Sequence, residues 1–255
     1  MKIYLPWLGE FGNELLRYVP GVYNDPDDKI VCYEAGKECL YPRATERYVI
    51  PRIDVTQRVC AGSLNQDELW ADIKAHFGPS HNYVTPHSTY TMARADQDFF
   101  VPETRDFGFE CDVAIFPRFK KQGPFKNWDY WQYVVDELTT RGVSVFACGH
   151  KDSSSPVSCP TAWDYEDSLE ASVWGIIHSK VRIGPSTALT ILSHYCNKSV
   201  WVLCLGEGPP AAVERTLPNF RYAKYADKNQ VGIRIVPYMN EPEKVVEEIC
   251  TSIGL

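Results

Sequence analysis

Lys180-Val181-Arg182-Ile183-Gly184-Pro185-Ser186-Thr187-Ala188-Leu189-Thr190 decides the fold of this chain. Lys180 to Ile183 reads as a strand, Gly184 and Pro185 shape a turn, and Ser186 is placed to cap a helix running through Ile191, Leu192 and Tyr195. Strand, tight turn and helix in that order make up one step of a βαβ unit. At the helix start the N–H groups of Thr187 and Ala188 meet the positive end of the helix dipole, which suits a phosphate. An ordinary capped helix uses the same residues, so both readings stand at this point.

The pattern repeats outward from this stretch. Lys2 to Trp7, Lys29 to Tyr33, Cys111 to Phe116, Val143 to Cys148, Val200 to Leu205 and Ile233 to Val236 read as strands. Several are continuously apolar, as in a parallel sheet covered by helices on both faces. Asn127 to Arg141 is helical by the spacing of Trp128, Trp131, Val135 and Leu138, with Gly142 as its stop. Tyr165 to Ser179 carries Leu169, Val173, Ile176 and Ile177 on one stripe, and Pro242 with its acidic neighbours opens a last helix bearing Val245, Val246, Ile249 and Ile253. The expected class is α/β: the alternation from Cys111 onward marks a doubly wound, Rossmann-like domain over 106–255, after a small and irregular domain over 1–105. In the small domain, one strand, a helix from Glu14, a second strand and a helix over Asp67 to Phe77 are legible, whereas His76 to Phe107 is polar and turn-rich.

The chain has 255 residues, 44% apolar and 23% charged, with a formal net charge of −7, which excludes a disordered chain and a generic nucleic-acid-binding surface. The first residues do not read as a signal peptide, and the best apolar run, Ser199 to Leu205, has strand length, so no integral membrane segment is expected. Nine scattered cysteines without a Cys-x-x-Cys pair give no zinc framework and suit a reducing, cytoplasmic compartment. Asp25-Pro26-Asp27-Asp28 reads as a turn before a cation site.

Three further loops follow strands, where ligands of doubly wound sheets bind. Arg118, Lys120 and Lys121 bring three cations to the end of an apolar strand, fit for an anion such as a diphosphate, or for a solvated loop. Gly149-His150-Lys151-Asp152 follows the next strand; His150 suits a phosphate or ribose, or simple exposure. Leu8-Gly9-Glu10-Phe11-Gly12-Asn13-Glu14 follows the first strand. Gly9 and Gly12 let the backbone turn close to a ligand, and Glu10 and Glu14 are candidate general bases. The plainer alternative is a strand–helix turn with Asn13 as N-cap. Trp163 and Tyr165 are candidates for stacking on a base or ring. Ser153-Ser154-Ser155 reads as a low-complexity loop.

These residues carry a resemblance. The second half resembles the nucleotide-binding domain of glycosyltransferases with the GT-B fold, above all the heptosyltransferase-like group. Val181 to Ile191 is similar to their "(V/I)G-x-D-(S/T)-G-x-x-H": Gly184 and Thr187 match, while Ser186, Ala188 and Ile191 stand in place of Asp, Gly and His. The Gly9 to Glu14 loop is similar to their acceptor-side loop and to the "G-G-x-G-N-Q" of GDP-fucose-dependent fucosyltransferases, whose "H-x-R-x-x-D" is echoed by Arg118. The resemblance implies two Rossmann-like domains, an acceptor-side one over 1–105 and a nucleotide-sugar one over 106–255, with the active site between them. It further implies transfer of a sugar from a nucleoside-diphosphate sugar to a saccharide or glycolipid hydroxyl, inverting, without metal or other cofactor. Arg118, Lys120 and Ser186 to Ala188 would hold the diphosphate, and Glu10, ahead of Glu14, would serve as base. A non-catalytic binding module of the same fold and a nucleotide-sugar epimerase are the alternatives.

Overall fold

The computed structural model describes residues 1–8, 11–51, 66–86, 100–119, 127–203, 232–237 and 240–255. By its internal contacts the chain forms two units, Met1–Glu103 and Thr104–Leu255.

The first unit holds a parallel sheet of β1 (Lys2–Tyr4), β2 (Lys29–Glu34), β3 (Glu46–Ile50) and β4 (Asn82–Val84), in the order β3-β2-β1-β4. Helix α1 begins as Phe11–Asn13, passes through a π-helical turn, Glu14–Tyr18, and ends as Val19–Asn24. Helix α2 (Gln66–Phe77) turns Trp70 and Ile73 onto Ile3, Leu5, Ile30, Cys32 and Ile50. β3 and β4 are additions to the sequence reading. β3 is an edge strand whose Glu46, Arg47 and Val49 are exposed, so it lacks the apolar run that marks β2. β4 has only three residues inside the polar stretch after His76.

The second unit begins with residues 104–110 laid on the helix Ser168–Ile177. The Arg105 N–H donates to Glu170 Oε1 at 2.6 Å, and Trp174 Nε1 donates to the Phe109 carbonyl at 2.7 Å. Its five-stranded parallel sheet is built of β5 (Cys111–Ile115), β6 (Val145–Ala147), β7 (Ser179–Pro185), β8 (Val200–Leu203) and β9 (Ile233–Val236), in the order β6-β5-β7-β8-β9. Helices α3 (Trp131–Thr140), α4 (Ser168–Ile177), α5 (Ala188–Tyr195) and α6 (Pro242–Ile253) alternate with the strands. Successive strand side chains face opposite ways. Val113, Ile115, Val181, Ile183, Trp201 and Leu203 therefore share one face, where they pack with Trp131, Val134 and Leu138 of α3 and Val245, Val246 and Ile249 of α6. The other face meets α4: Arg182 is buried there, donating to the Ile176 and Lys180 carbonyls at 3.3 and 2.5 Å and so tying off the carboxyl end of α4.

Both units are thus α/β with Rossmann-like parallel sheets. The strand from Lys180 extends beyond Ile183, because Gly184 and Pro185 pair with Val202 and Leu203. The helix expected from Asn127 starts at Trp131. Among the described residues no helix is long and apolar enough to cross a membrane.

Candidate functional site

In the second sheet the chain leaves β5 to one side for β6 and returns to lay β7 on the other. The strand order reverses between β5 and β7, and ligands of such sheets bind beyond the carboxyl ends of the strands at that point. The segments there are Phe116 to Phe119, Cys148 to Ser155, and Ser186 with the start of α5.

Phe116 continues the β5 ladder, its N–H donating to Ile183 O at 2.8 Å. Its ring lies over Gly184: a Cβ there would stand 2.5 Å from Phe116 Cβ. Gly184 is therefore needed for packing between neighbouring strands. Beyond Phe116 the chain pairs with the loop after β6 in an antiparallel bridge between Arg118 and Ser154. The Phe119 N–H donates to Ser153 O at 2.8 Å, and the Ser155 N–H to Pro117 O at 2.5 Å. The low-complexity serines are thus a short paired segment. Arg118 is half-buried; Lys120 and Lys121 lie outside the described residues.

Gly149 sits behind this ladder with φ +138°. Its N–H donates to Ser172 Oγ at 3.0 Å, and that hydroxyl donates to Ser168 O at 2.7 Å, which fastens Gly149 to α4. The point a Gly149 Cβ would occupy lies 2.7 Å from Ser154 Oγ, 3.8 Å from Leu189 Cδ1 and 3.9 Å from Trp163 Cζ3. The ladder, the first turn of α5 and Trp163 therefore meet at one place. His150 begins the turn Lys151–Ser153, and its Nδ1 accepts from the Asp152 N–H at 3.3 Å, so in the neutral ring the proton sits on Nε2.

At the α5 start the expected pair of phosphate-facing N–H groups is reduced. The Thr187 N–H already donates to Thr190 Oγ1 at 3.0 Å, and that hydroxyl donates back to Thr187 O at 2.6 Å. Ala188 is the first helical residue, and from there the N–H groups have no carbonyl four residues behind them within the helix. Ser186 and Thr187 are half-buried just ahead of it. Trp163 is half-buried and packs partly on the core, with its edge toward Gly149. Tyr165 is built into an aromatic cluster, edge-on to Phe107 at 5.1 Å and stacked on Phe109 at 6.0 Å. His194 of α5 is largely buried, and burial pushes its pKa down to about 4.

In the first unit, Gly9 and Glu10 lie outside the described residues. Gly12 is half-buried, and Asn13 is the third residue of α1, not its cap. Glu14 is 1% exposed, with one oxygen accepting from the Tyr41 hydroxyl at 2.6 Å and the other from the Lys37 ammonium. That ammonium also lies 2.7 Å from Glu34 Oε2. Burial and the Glu14 carboxylate push the Tyr41 hydroxyl pKa up. This arrangement gives Glu14 a structural part: both oxygens are engaged and neither faces solvent. Asp25, read as part of a turn, caps the end of α1 and accepts from Lys2 Nζ and from the Tyr4 hydroxyl at 2.5 Å. Among the described residues no three His, Cys, Asp or Glu side chains gather to hold a metal ion.

Ser172, Lys37, Glu34 and Tyr41 are the site and network residues that sequence reasoning missed, while Gly149 and Ser154 were read only as members of loops and are brought together by the fold.

No known family profile and no curated protein matches the sequence. Solved structures do match in shape. E. coli ADP-heptose LPS heptosyltransferase II superposes with a TM-score of 0.55 at 12% identity, over 99% of this chain and 98% of that one. The glycosyl transferase family 9 protein of Veillonella parvula gives 0.54 at 11%, over 99% and 88%. E. coli heptosyltransferase WaaC, solved with ADP, gives 0.50 at 11%, over 98% and 100%. At these identities the likeness speaks for architecture: the chain has the two-unit, parallel-sheet α/β fold of the GT-B heptosyltransferases.

Proposed function

We propose that this chain is a glycosyltransferase, moving a sugar from a nucleoside-diphosphate sugar to a hydroxyl of a saccharide or glycolipid acceptor. One observation carries the reading. At the switch point of the second sheet, the segment bearing Arg118 and the first turn of α5 meet beside Gly149 and Trp163. A segment that carries an arginine and a helix N-terminus, both brought to one end of a parallel sheet, suit a diphosphate, which a guanidinium and free N–H groups stabilise through charge-assisted hydrogen bonds. The fold likeness supports the same assignment, since one neighbour is named for ADP-heptose and another was solved with ADP.

In this reading residues 106–255 take the donor and residues 1–105 the acceptor. The acceptor oxygen attacks the anomeric carbon as the bond from that carbon to the diphosphate oxygen breaks, which inverts the centre. The acceptor proton passes to a carboxylate, assigned to Glu10. The nucleoside diphosphate leaves with its added negative charge offset by Arg118, by Lys120 and Lys121 downstream, and by the α5 start from Ala188, a set that needs no metal. The nucleotide sugar is a co-substrate, and no further cofactor enters. Trp163 offers an edge to the base, and His150 offers Nε2–H to a phosphate or ribose oxygen.

A second reading, a non-catalytic binding module, is favoured by the engagement of Glu14 and by Ser186 and Ile191 in place of the motif's Asp and His. A thermal-shift screen of nucleoside diphosphates and nucleotide sugars, with Arg118→Ala as control, tests both. A ligand at 100 times its Kd stabilises by about 2.7 kcal/mol. A shift with one base, lost in Arg118→Ala, supports a donor site, and no shift with any nucleotide overturns it. Release of nucleoside diphosphate then marks an enzyme and its absence with every acceptor marks a module, while a new nucleotide sugar marks an epimerase.

A further inference from the structure

We infer that the paired segment Ser153–Ser155, together with Gly149, positions Arg118 for its anion; the inference rests on the reading of Arg118 as a donor-diphosphate ligand. The register of the ladder is the first ground. Its two hydrogen bonds, Phe119 N–H to Ser153 O and Ser155 N–H to Pro117 O, flank the Arg118–Ser154 pair without joining those two residues. In such a pair the opposed Cα atoms are only about 4.5 Å apart, and the side chains leave on the same face. Arg118 therefore projects on the side that carries Ser154 Oγ.

Ser154 Oγ identifies what that side faces. It lies against the α-carbon of Gly149, where Leu189 of α5 and Trp163 also arrive. The ladder thus aims Arg118 toward the first turn of α5, where a second set of anion donors begins. Gly149 in turn is held by Ser172 and Ser168 of α4. The line of support runs from α4 through Gly149 and Ser154 to Arg118. A flexible loop would have to be ordered each time the guanidinium gripped a ligand, whereas a paired one has that ordering built in.

Two kinds of variant separate positioning from plain stability. Gly149→Ala adds a methyl against Ser154 Oγ and also strains a backbone with φ +138°. Gly149→Ala with Ser154→Ala removes the obstructing oxygen but keeps the backbone strain. Ser155→Pro deletes the N–H that holds Pro117 O. Titrations of ADP, GDP, UDP and CDP by calorimetry, each beside a melting curve, read the outcome.

The expectation is that Gly149→Ala and Ser155→Pro each weaken the best wild-type nucleotide about tenfold, the scale of one misplaced charge-assisted hydrogen bond. In the double variant, binding returns to within about threefold of wild type while Tm stays as low as in Gly149→Ala. Unchanged affinity in both Gly149→Ala and Ser155→Pro, with only Tm lowered, makes the ladder a structural brace and overturns the inference while leaving the donor site intact. Wild-type binding that Arg118→Ala does not weaken overturns the donor-site reading itself and the inference with it. If Gly149→Ala does not fold, Ser155→Pro alone decides between these outcomes.

Discussion

The ammonium of Lys37 lies 2.7 Å from Oε2 of Glu34, with side chains 8% and 0% exposed, and the same ammonium also reaches Glu14. Two carboxylates share one cation here, with the Tyr41 hydroxyl on the second oxygen of Glu14. Removing one member of a buried ionic set leaves the rest uncompensated, at about 3–5 kcal/mol. Lys37→Met is expected to lose that much stability in urea unfolding, and adding Glu14→Gln and Glu34→Gln to recover a large part of it. A Lys37→Met protein as stable as wild type counts against the network.

The same contacts separate two neighbouring carboxylates. Glu14→Gln is expected to act mainly on stability, and Glu10→Gln to abolish turnover while sparing nucleotide affinity. Parallel measurements of Tm, donor Kd and kcat on both variants check this. Full turnover in Glu10→Gln removes Glu10 from the role of base.

Gly184→Ala places its methyl 2.5 Å from Phe116 Cβ, an atom fixed to the β5 backbone that cannot swing aside. Overpacking of this kind costs about 1–3 kcal/mol, and each kcal/mol lowers Tm by about 2–4 °C in a chain of this size. Scanning calorimetry should show such a drop, and an unchanged Tm would mean that β5 and β7 are less tightly apposed than described.

His194 gives stability a pH dependence. Burial holds its folded pKa at about 4, against 6.5 for the exposed ring. Between those values the unfolded chain binds the proton and the folded chain does not, so stability is full above about pH 6.5 and falls on acidification toward 4. The slope approaches about 1.4 kcal/mol per pH unit. Urea midpoints for wild type and His194→Leu over that range should diverge, with the variant flatter.

A second acid-sensitive group sits at the start of β5. Hydrogen bonds from Lys180, at 2.8 Å, and from Ser144 hold the Asp112 pKa at about 2. Its stabilisation is present above about pH 3.8 and is lost as the pH falls toward 2. Lys180 is 65% exposed, so salt should weaken the effect. Asp112→Asn is expected to remove most of the salt dependence of the acid unfolding midpoint.

Much of the second sheet was legible because buried parallel strands are written as apolar runs, and α6 because Pro242, Glu243 and its 3.6-residue stripe all agree. β3 escaped because an edge strand keeps its charges, and β4 because three residues give no period. At the site, the Arg118 segment and the α5 start stood out as loops after strands. The link between them did not, because an antiparallel bridge from Arg118 to Ser154 joins loops that share no periodicity. Lys37 falls in the turn after β2, where a surface cation is the ordinary expectation; only the folded chain shows it between two acids.

The π-helical turn Glu14–Tyr18 also bears on which changes of length this chain can accept. Such a turn holds one residue more than the α-helix would, and each helical residue advances the chain by about 100°. Deleting one residue between Glu14 and Tyr18 would let the turn relax to α-helix and rotate one side of it against the other. Glu14 would then leave Lys37, or the Tyr18 hydroxyl would leave the Leu5 carbonyl that it meets at 2.5 Å. Substitutions at the half-buried Leu16 should be absorbed readily, while removal of that single residue should not.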